Sequence, residues 1–461
     1  MALIGSSGTT TAQNGLSATY LNTIIKETIN AGRKPINTLS SQKNQLGVKK
    51  AIYNDLKNKL LTFKGVMEDL TSDHSDTVFD NMKTISSDTG VLTASATSEA
   101  INGSYTISVN NLAESHMVHS DQQASSSEAL GFSGTFTIND VSIDITTEDS
   151  LADIVEAINM AEYEDGEEVT ATIVDNYLIL ESSSTGVSNS IIASDDTGDV
   201  LSSLGVLDGG NFKNTLQEAE DASFTVNGIS ITRSSNTEID DVIQGVTLDL
   251  KGEGTDIELD VSTNYTDIQV KIAAFKNNLN DVIGYLGAKL KTTINEKNNT
   301  YTRGALAGET VFSRLRMDLI GALRTHVTAS VEGDPQYLED IGLTVGSGLS
   351  INLDESTLLS TLESNFDGVV NLFDQVMDNF LNILEPFTTQ SSSSNTLDVY
   401  INSVDTKIDS IDTKIEGIEK SLQYKQDLLI KQYSSLYLQN INFTQQQYSL
   451  LGIYSNLNIS G

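Results

Sequence analysis

The sequence predicts a multi-domain α+β protein in which helices from the two ends of the chain pair as a coiled coil and two β-rich α+β domains are inserted between them. Three observations predict it. Residues 399–422, "VYINSVDTKIDSIDTKIEGIEKSL", put Ile401, Val404, Ile408, Ile411, Ile415, Ile418 and Leu422 on alternating steps of three and four, a heptad seam with no miss. A second seam lies near the start, with Leu39, Leu46, Tyr53, Leu60 and Met67 in one heptad column and Leu56, Phe63 and Leu70 joining the other. Between them the composition turns to Thr, Ser, Val, Ile and Gly with period-two alternation, as strands require.

At 461 residues the chain has room for about three domains. Its formal charge of -36, from 27 basic and 63 acidic side chains, repels phosphate backbones and anionic lipids, so nucleic acid and membrane surfaces are poor partners. There is no cysteine, which removes disulfides and thiol chemistry. The first twenty residues lack the basic start and apolar core of a Sec-type signal and read as a polar tail. No run of eighteen apolar residues occurs, so no spanning helix is expected.

In chain order, Pro35 in "AGRKPI" is expected to end a short first helix and open a second. Residues 1–70 carry nine basic and four acidic side chains and residues 397–461 five and seven, so pairing of the two terminal helices is favourable in charge. The middle contains a repeat at a constant offset: "FTINDVSI" (136–143) returns as "FTVNGISI" (224–231), and Leu151, Ile154, Val155 and Ile158 return as Ile239, Val242, Ile243 and Val246. Each copy reads as a hairpin, turning at Asn139–Asp140 or Asn227–Gly228, followed by a short amphipathic helix. Linker-like stretches at 120–131 and 208–220 bracket the first copy, which reads as an insertion into the domain holding the second. Helical period returns after residue 264, and "TTQSSSSN" (388–395) reads as a joint before the long C-terminal helix.

The search for chemistry finds no phosphate loop, dinucleotide fingerprint or nucleophile elbow. His116 and His119 lack a third ligand nearby, and the acidic clusters at 162–168 and 194–199 lack EF-hand spacing, so no metal or other cofactor is expected. The informative feature is the seam beyond Leu422. One column stays apolar through Leu429, Leu436, Phe443 and Leu450, while the other becomes Lys425, Gln432, Gln439 and Gln446. A buried glutamine without partners costs about 1–3 kcal/mol, comparable with the roughly 1.5–3 kcal/mol gained per facing apolar side chain. The expectation is a tail loosely structured by itself that orders against a partner, with a solvated helix face as the plain alternative.

Several motifs in fixed order carry a resemblance: "GRKPINTLSSQKNQLGVKKAIYNDLKNKL" (32–60), "GSYTISVNNLAESH" (103–116), "SLADIVEAIN" (150–159), "ITRSSNTEIDDVIQGVTLDL" (231–250), "GALAGETVFSRLRMDL" (304–319) and "DIGLTV" with "GLSINLDESTL" (340–358). Together they resemble the flagellar hook-associated protein 2 family, the filament caps. The resemblance implies a non-enzymatic, ring-like homo-oligomer at the filament tip. It further implies export through the flagellar type III apparatus with an export chaperone, contact with flagellin, an extracellular location without a cleaved signal, and no cofactor. Laid on this chain it implies an export tail (1–19), leg helices (20–76), a plate domain in two parts (77–120 and 215–263), an inserted outer head (121–214), a leg body (264–390) and a C-terminal coiled-coil helix with assembly tail (391–461). The leg seam would be Leu39, Leu46, Tyr53 and Leu60 against Ile401 to Leu422, and the tail contacts Leu429, Gln432, Leu436, Gln439, Phe443, Gln446 and Leu450. A secreted adhesin binding host glycans, and a hydrolase hidden in the β domains, are the rival readings.

Overall fold

A computed structural model describes residues 17–72, 77–295, 300–390 and 395–457. Among these the helices are α1 (Ala18–Gly32), α2 (Lys34–Glu68), α3 (Leu151–Asn159), α4 (Val200–Leu204), α5 (Tyr265–Leu290), α6 (Thr310–Ala322), α7 (Glu355–Ser364), α8 (Phe366–Thr388) and α9 (Thr396–Leu457). The chain forms two compact units, Met1–Thr71 with Ile272–Gly461, and Ser72–Lys271.

The first unit is helical because its apolar residues recur at helical spacing and its ends are capped. Ser17 caps α1 by accepting the N–H of Tyr20 at 3.1 Å. Residues 17–19 are therefore the start of a helix, not the end of a tail, while residues 1–16 of the expected tail lie outside the described residues. Gly32 ends α1 and Pro35 sits in the first turn of α2, where a missing N–H costs nothing. Asp354 caps α7 through Ser356 and Thr357, and Asn365 separates α7 from α8. The stretch 388–395, expected as a joint, is anchored at both ends. Thr388 belongs to α8, and Asn395, fully buried, donates to the carbonyls of Phe387 (2.9 Å) and Thr389 (3.0 Å) while accepting the N–H of Leu397 (2.9 Å). One amide thus closes α8 and opens α9; residues 391–394 lie outside the described residues.

The second unit holds two β-rich cores. In one, a five-stranded sheet runs Met82–Ser86, Gly254–Thr263, Gly103–Asn111, Ala222–Val226, Ile229–Arg233, packed with a three-stranded sheet of Ile239–Ile243, Val246–Leu250 and Leu92–Ala96 around Phe224, Leu248 and Leu259. In the other, Val141–Ile145, Gly134–Ile138 and Ala193–Thr197 form one sheet and Thr215–Gln217, Ser115–His119, Tyr177–Thr185 and Val169–Val174 a second, with α3 and α4, around Phe136, Ile154 and Leu180. The strands Ser115–His119 and Thr215–Gln217 pair within this inserted core, so the crossing points move from the expected 120/121 and 214/215 to the neighbourhood of the bridge Glu114–Glu220.

The repeat is real in its hairpins and diverges after them. Asn139 and Asn227 both adopt positive φ (43° and 50°), and each uses its side-chain oxygen to clamp a third strand, Asn139 on the Ile192 N–H (2.8 Å) and Asn227 on the Thr106 N–H (2.9 Å). The first copy then forms α3, capped reciprocally by Ser150 and Asp153. The second was expected to do the same, but Ile239–Ile243 is a strand paired with Val246–Leu250. Two substitutions at the constant offset, and a new partner for the aspartate that matches Asp153, explain it. Glu238, at φ 56°, replaces the Ser150 cap; Asp241 is drawn to Arg233 at 2.9 Å; and Gly245, at φ 70° against the backbone of Ala100, replaces Ala157 and makes a turn.

His116 is buried in the inserted core and its Nδ1 accepts the N–H of Ile191 at 3.1 Å. His119 instead turns its Nδ1 to the Ser120 carbonyl at 2.7 Å, so the two rings serve separate contacts. Burial pushes the pKa of His116 below 6.5, outweighing the attraction of Glu218. The folded state therefore resists a proton that the unfolded chain takes near 6.5, and stability present above that pH is lost as pH falls below it. Denaturant titrations from pH 7.5 to 5.5 should show this loss in the wild type and a flatter profile in His116→Gln; parallel profiles would refute it.

Candidate assembly surface

Helices α2 and α9 pack antiparallel within the first unit, and their polar edge fixes the register. Lys43, Lys50 and Lys57 each contact a carboxylate one heptad further back on α9: Asp412 (2.6 Å), Asp405 (2.7 Å) and Asp398 (2.6 Å). Sequence reasoning found the apolar columns and missed this ladder, although lysines and aspartates both spaced by seven were the signal. Each pair is partly exposed and contributes about 0.2–1 kcal/mol, so the ladder selects register more than it adds stability.

Below the ladder the seam becomes a core. Tyr53, Leu56, Leu60, Phe63 and Met67 are at most 1% exposed, and the rings of Phe63, Phe275 and Phe380 meet with centroids 5.4–5.9 Å apart. Tyr53 packs on Phe312 and Tyr400 and donates its hydroxyl to the Glu309 carboxylate at 2.9 Å, with Lys49 on the same carboxylate. Burial first, and then Glu309, hold that hydroxyl protonated well above the ordinary tyrosine range. Of the expected seam residues, Tyr53, Leu60, Val404 and Ile411 are buried, while Leu39, Leu46, Ile401, Ile408, Ile415, Ile418 and Leu422 are half-buried.

Beyond Leu422 the structure departs from the expected tail. Helix α9 continues, and α1 lies against it, burying Leu21, Ile25 and Ile29 on Leu422, Leu429, Ile430, Tyr433 and Tyr437. Gly32 allows this approach, because a Cβ there would meet Leu422 Cδ2 at 2.4 Å. The covered face runs through Leu422, Gln426, Tyr433, Tyr437 and Thr444, with steps of eleven, so the strict heptad column rotates outward. Leu436, Phe443 and Leu450 are 41%, 54% and 56% exposed, and Gln432, Gln439 and Gln446 are exposed too. The glutamine column is thus exposed in the single chain, and the tail over the described residues is helical, its proximal half packed on α1.

These features define a class: a chain whose two terminal segments close one helical unit, while its middle folds separately into paired β-rich cores. The family models place it further. Residues 17–116 match the N-terminus and residues 219–442 the C-terminus of flagellar hook-associated protein 2, and the chain belongs to that family. It is 28% identical over 387 residues to the B-type flagellar hook-associated protein 2 of Pseudomonas aeruginosa, covering 78% of this chain and 79% of that one. It is 27% identical over 370 residues to the flagellar hook-associated protein 2 of Escherichia coli K12, covering 76% and 77%. The fold is similar to the crystal structure of the flagellar cap protein FliD D1-D2-D3 domains from Escherichia coli, with TM-score 0.59, 24% identity and coverage of 77% of this chain and 99% of that one.

Since Gln432, Gln439 and Gln446 face solvent, replacing all three by Leu should change unfolding free energy by less than about 0.5 kcal/mol per site while promoting aggregation. Urea denaturation and sedimentation check this; a gain of several kcal/mol would place the column in a packed seam.

Proposed function

We propose that this chain is the structural cap at the distal end of a bacterial flagellar filament, an oligomer beneath which exported flagellin subunits fold and insert. The observation that carries the reading is that the two matches to the cap family each reach into one helical unit, through residues 17–71 and 272–442, where the α2/α9 ladder pairs the two ends. The role is structural, not enzymatic. Export through the flagellar type III apparatus, with a chaperone holding the exposed tail beforehand, belongs to the same reading.

The composition of the ends supports an assembly role for the tail. No Asp, Glu, Lys or Arg occurs in residues 1–25 or 432–461, in a chain of net charge -36. Helix α9 beyond Lys431 is therefore free of the like-charge repulsion that the rest of the molecule presents to a copy of itself or to an acidic neighbour. Leu436, Phe443 and Leu450 form an uncovered apolar stripe there, suited to contacts that are made and released.

The test is electron microscopy of filament tips in cells lacking the protein and in cells making a form truncated after Lys431. The reading expects tip density with the full chain only, and flagellin released into the medium without elongation in the other two. Normal filaments in cells lacking the protein would overturn it.

A further inference from the structure

The two edges of the α2/α9 pair are unlike. One is closed by the three Lys–Asp contacts. The other is an open groove of about 690 Å³ floored by Leu46 and Ile411, continuing as a hollow of about 400 Å³ floored by Leu39 and Ile418. On its α9 rim stand Lys407 and Lys414, one heptad apart, both exposed and without an ion-pair partner among the described residues. Across the groove α2 offers them only the neutral Gln42 and Gln45, while its Lys49 is engaged with Glu309.

The complement of this rim lies on the same helix. Asp409 and Glu416 are also one heptad apart and exposed, and two residues of α-helix place them about 160° around from the lysines. Asp409 has no ion-pair partner among the described residues, and Glu416 meets only Lys420 of its own helix at 2.5 Å, an exposed contact that is readily exchanged. Between the two columns run Ser403, Ser410 and Gly417, side chains small enough to let another helix come close.

We propose that the open edge of the α2/α9 pair seats a second copy of this chain, with Lys407 and Lys414 of one copy against Asp409 and Glu416 of the next. Charge complementarity at matched spacing selects this occupant. Residues 72–271 carry 37 acidic and 5 basic side chains, so two copies repel through most of their surface, and the helical unit is where attraction can be placed. Because the basic and acidic columns lie on different flanks, every copy gives one contact and receives one, the heterologous geometry that closes rings. Copies related by rotation about an axis along the helices keep them parallel, and both pairs then form together. The contact rests on the assembly reading above and specifies how its subunits meet.

The full-length chain tests it by charge reversal. Lys407→Glu with Lys414→Glu, and separately Asp409→Lys with Glu416→Lys, should each weaken self-association about ten-fold or more in sedimentation velocity, two attractive pairs having become repulsive. All four changes in one chain should restore it, since the pairs re-form with polarity exchanged. Circular dichroism controls for folding, and the four positions are exposed, so wild-type melting is expected. Wild-type oligomers in both reversed variants, or no recovery in the combined chain, would overturn the contact while leaving the assembly reading standing. A wild-type chain that stays monomeric at every concentration would overturn both.

Discussion

The antiparallel register of α2 on α9 is the constraint on which the helical unit depends. It joins segments more than 340 residues apart, and the loop-closure cost of such a separation grows only slowly, by about 0.6 kcal/mol per doubling of length. Burial of Tyr53, Leu56, Leu60, Phe63 and Met67, at roughly 1.5–3 kcal/mol each, offsets it comfortably. Apolar burial by itself tolerates a slip of one heptad, because the columns repeat. The ladder of Lys43, Lys50 and Lys57 biases the choice, since a slip toward the start of α9 would leave Lys57 and Asp412 unpaired, and the contacts of Tyr53 with Glu309 and of Phe63 with Phe275 and Phe380 resist a slip in either direction. With the register fixed, Tyr53 meets Glu309, Phe63 meets Phe275 and Phe380, and α1 is delivered to the distal half of α9.

Charge divides the molecule as sharply as fold does. The second unit is strongly acidic, whereas the first is nearly balanced and its terminal stretches carry no charge at all. That distribution sets copies of the β-rich unit against one another in charge, while the helical unit carries its charges in columns. The same helix α9 thus sets the internal register through its aspartates and presents a cationic rim on its other edge.

Local signals were legible where a residue type has one physical use. The asparagine turns at 139 and 227, the Pro35 boundary and the apolar columns of α2 and α9 could all be read from the sequence, because left-handed turns, helix starts and helical faces each demand particular side chains. The second repeat misled because its apolar positions suit either period. Only Gly245 in place of Ala157, and Glu238 in place of Ser150, decide for a strand, and both act through backbone conformation. The distal seam misled for a geometric reason. A strict heptad drifts by about 20° per repeat on a straight helix, so the column that begins at Ile401 has left the packed face by Leu436. The small apolar face of α1, Leu21, Ile25 and Ile29, gave no hint of its partner. The Lys407–Lys414 rim became visible only once the opposite edge was seen to be closed.

The most direct measurement of the register is chemical crosslinking in this naturally cysteine-free chain. Lys50→Cys with Asp405→Cys should react with a short bifunctional thiol reagent within one molecule, at dilution and without change in mass on sizing. Lys50→Cys with Asp412→Cys, displaced by one heptad or about 10.5 Å along α9, should react far more slowly. Equal rates for the two pairs, or products formed only between molecules, would contradict the account, for α2 and α9 would then lack the single register from which the rest of the helical unit follows.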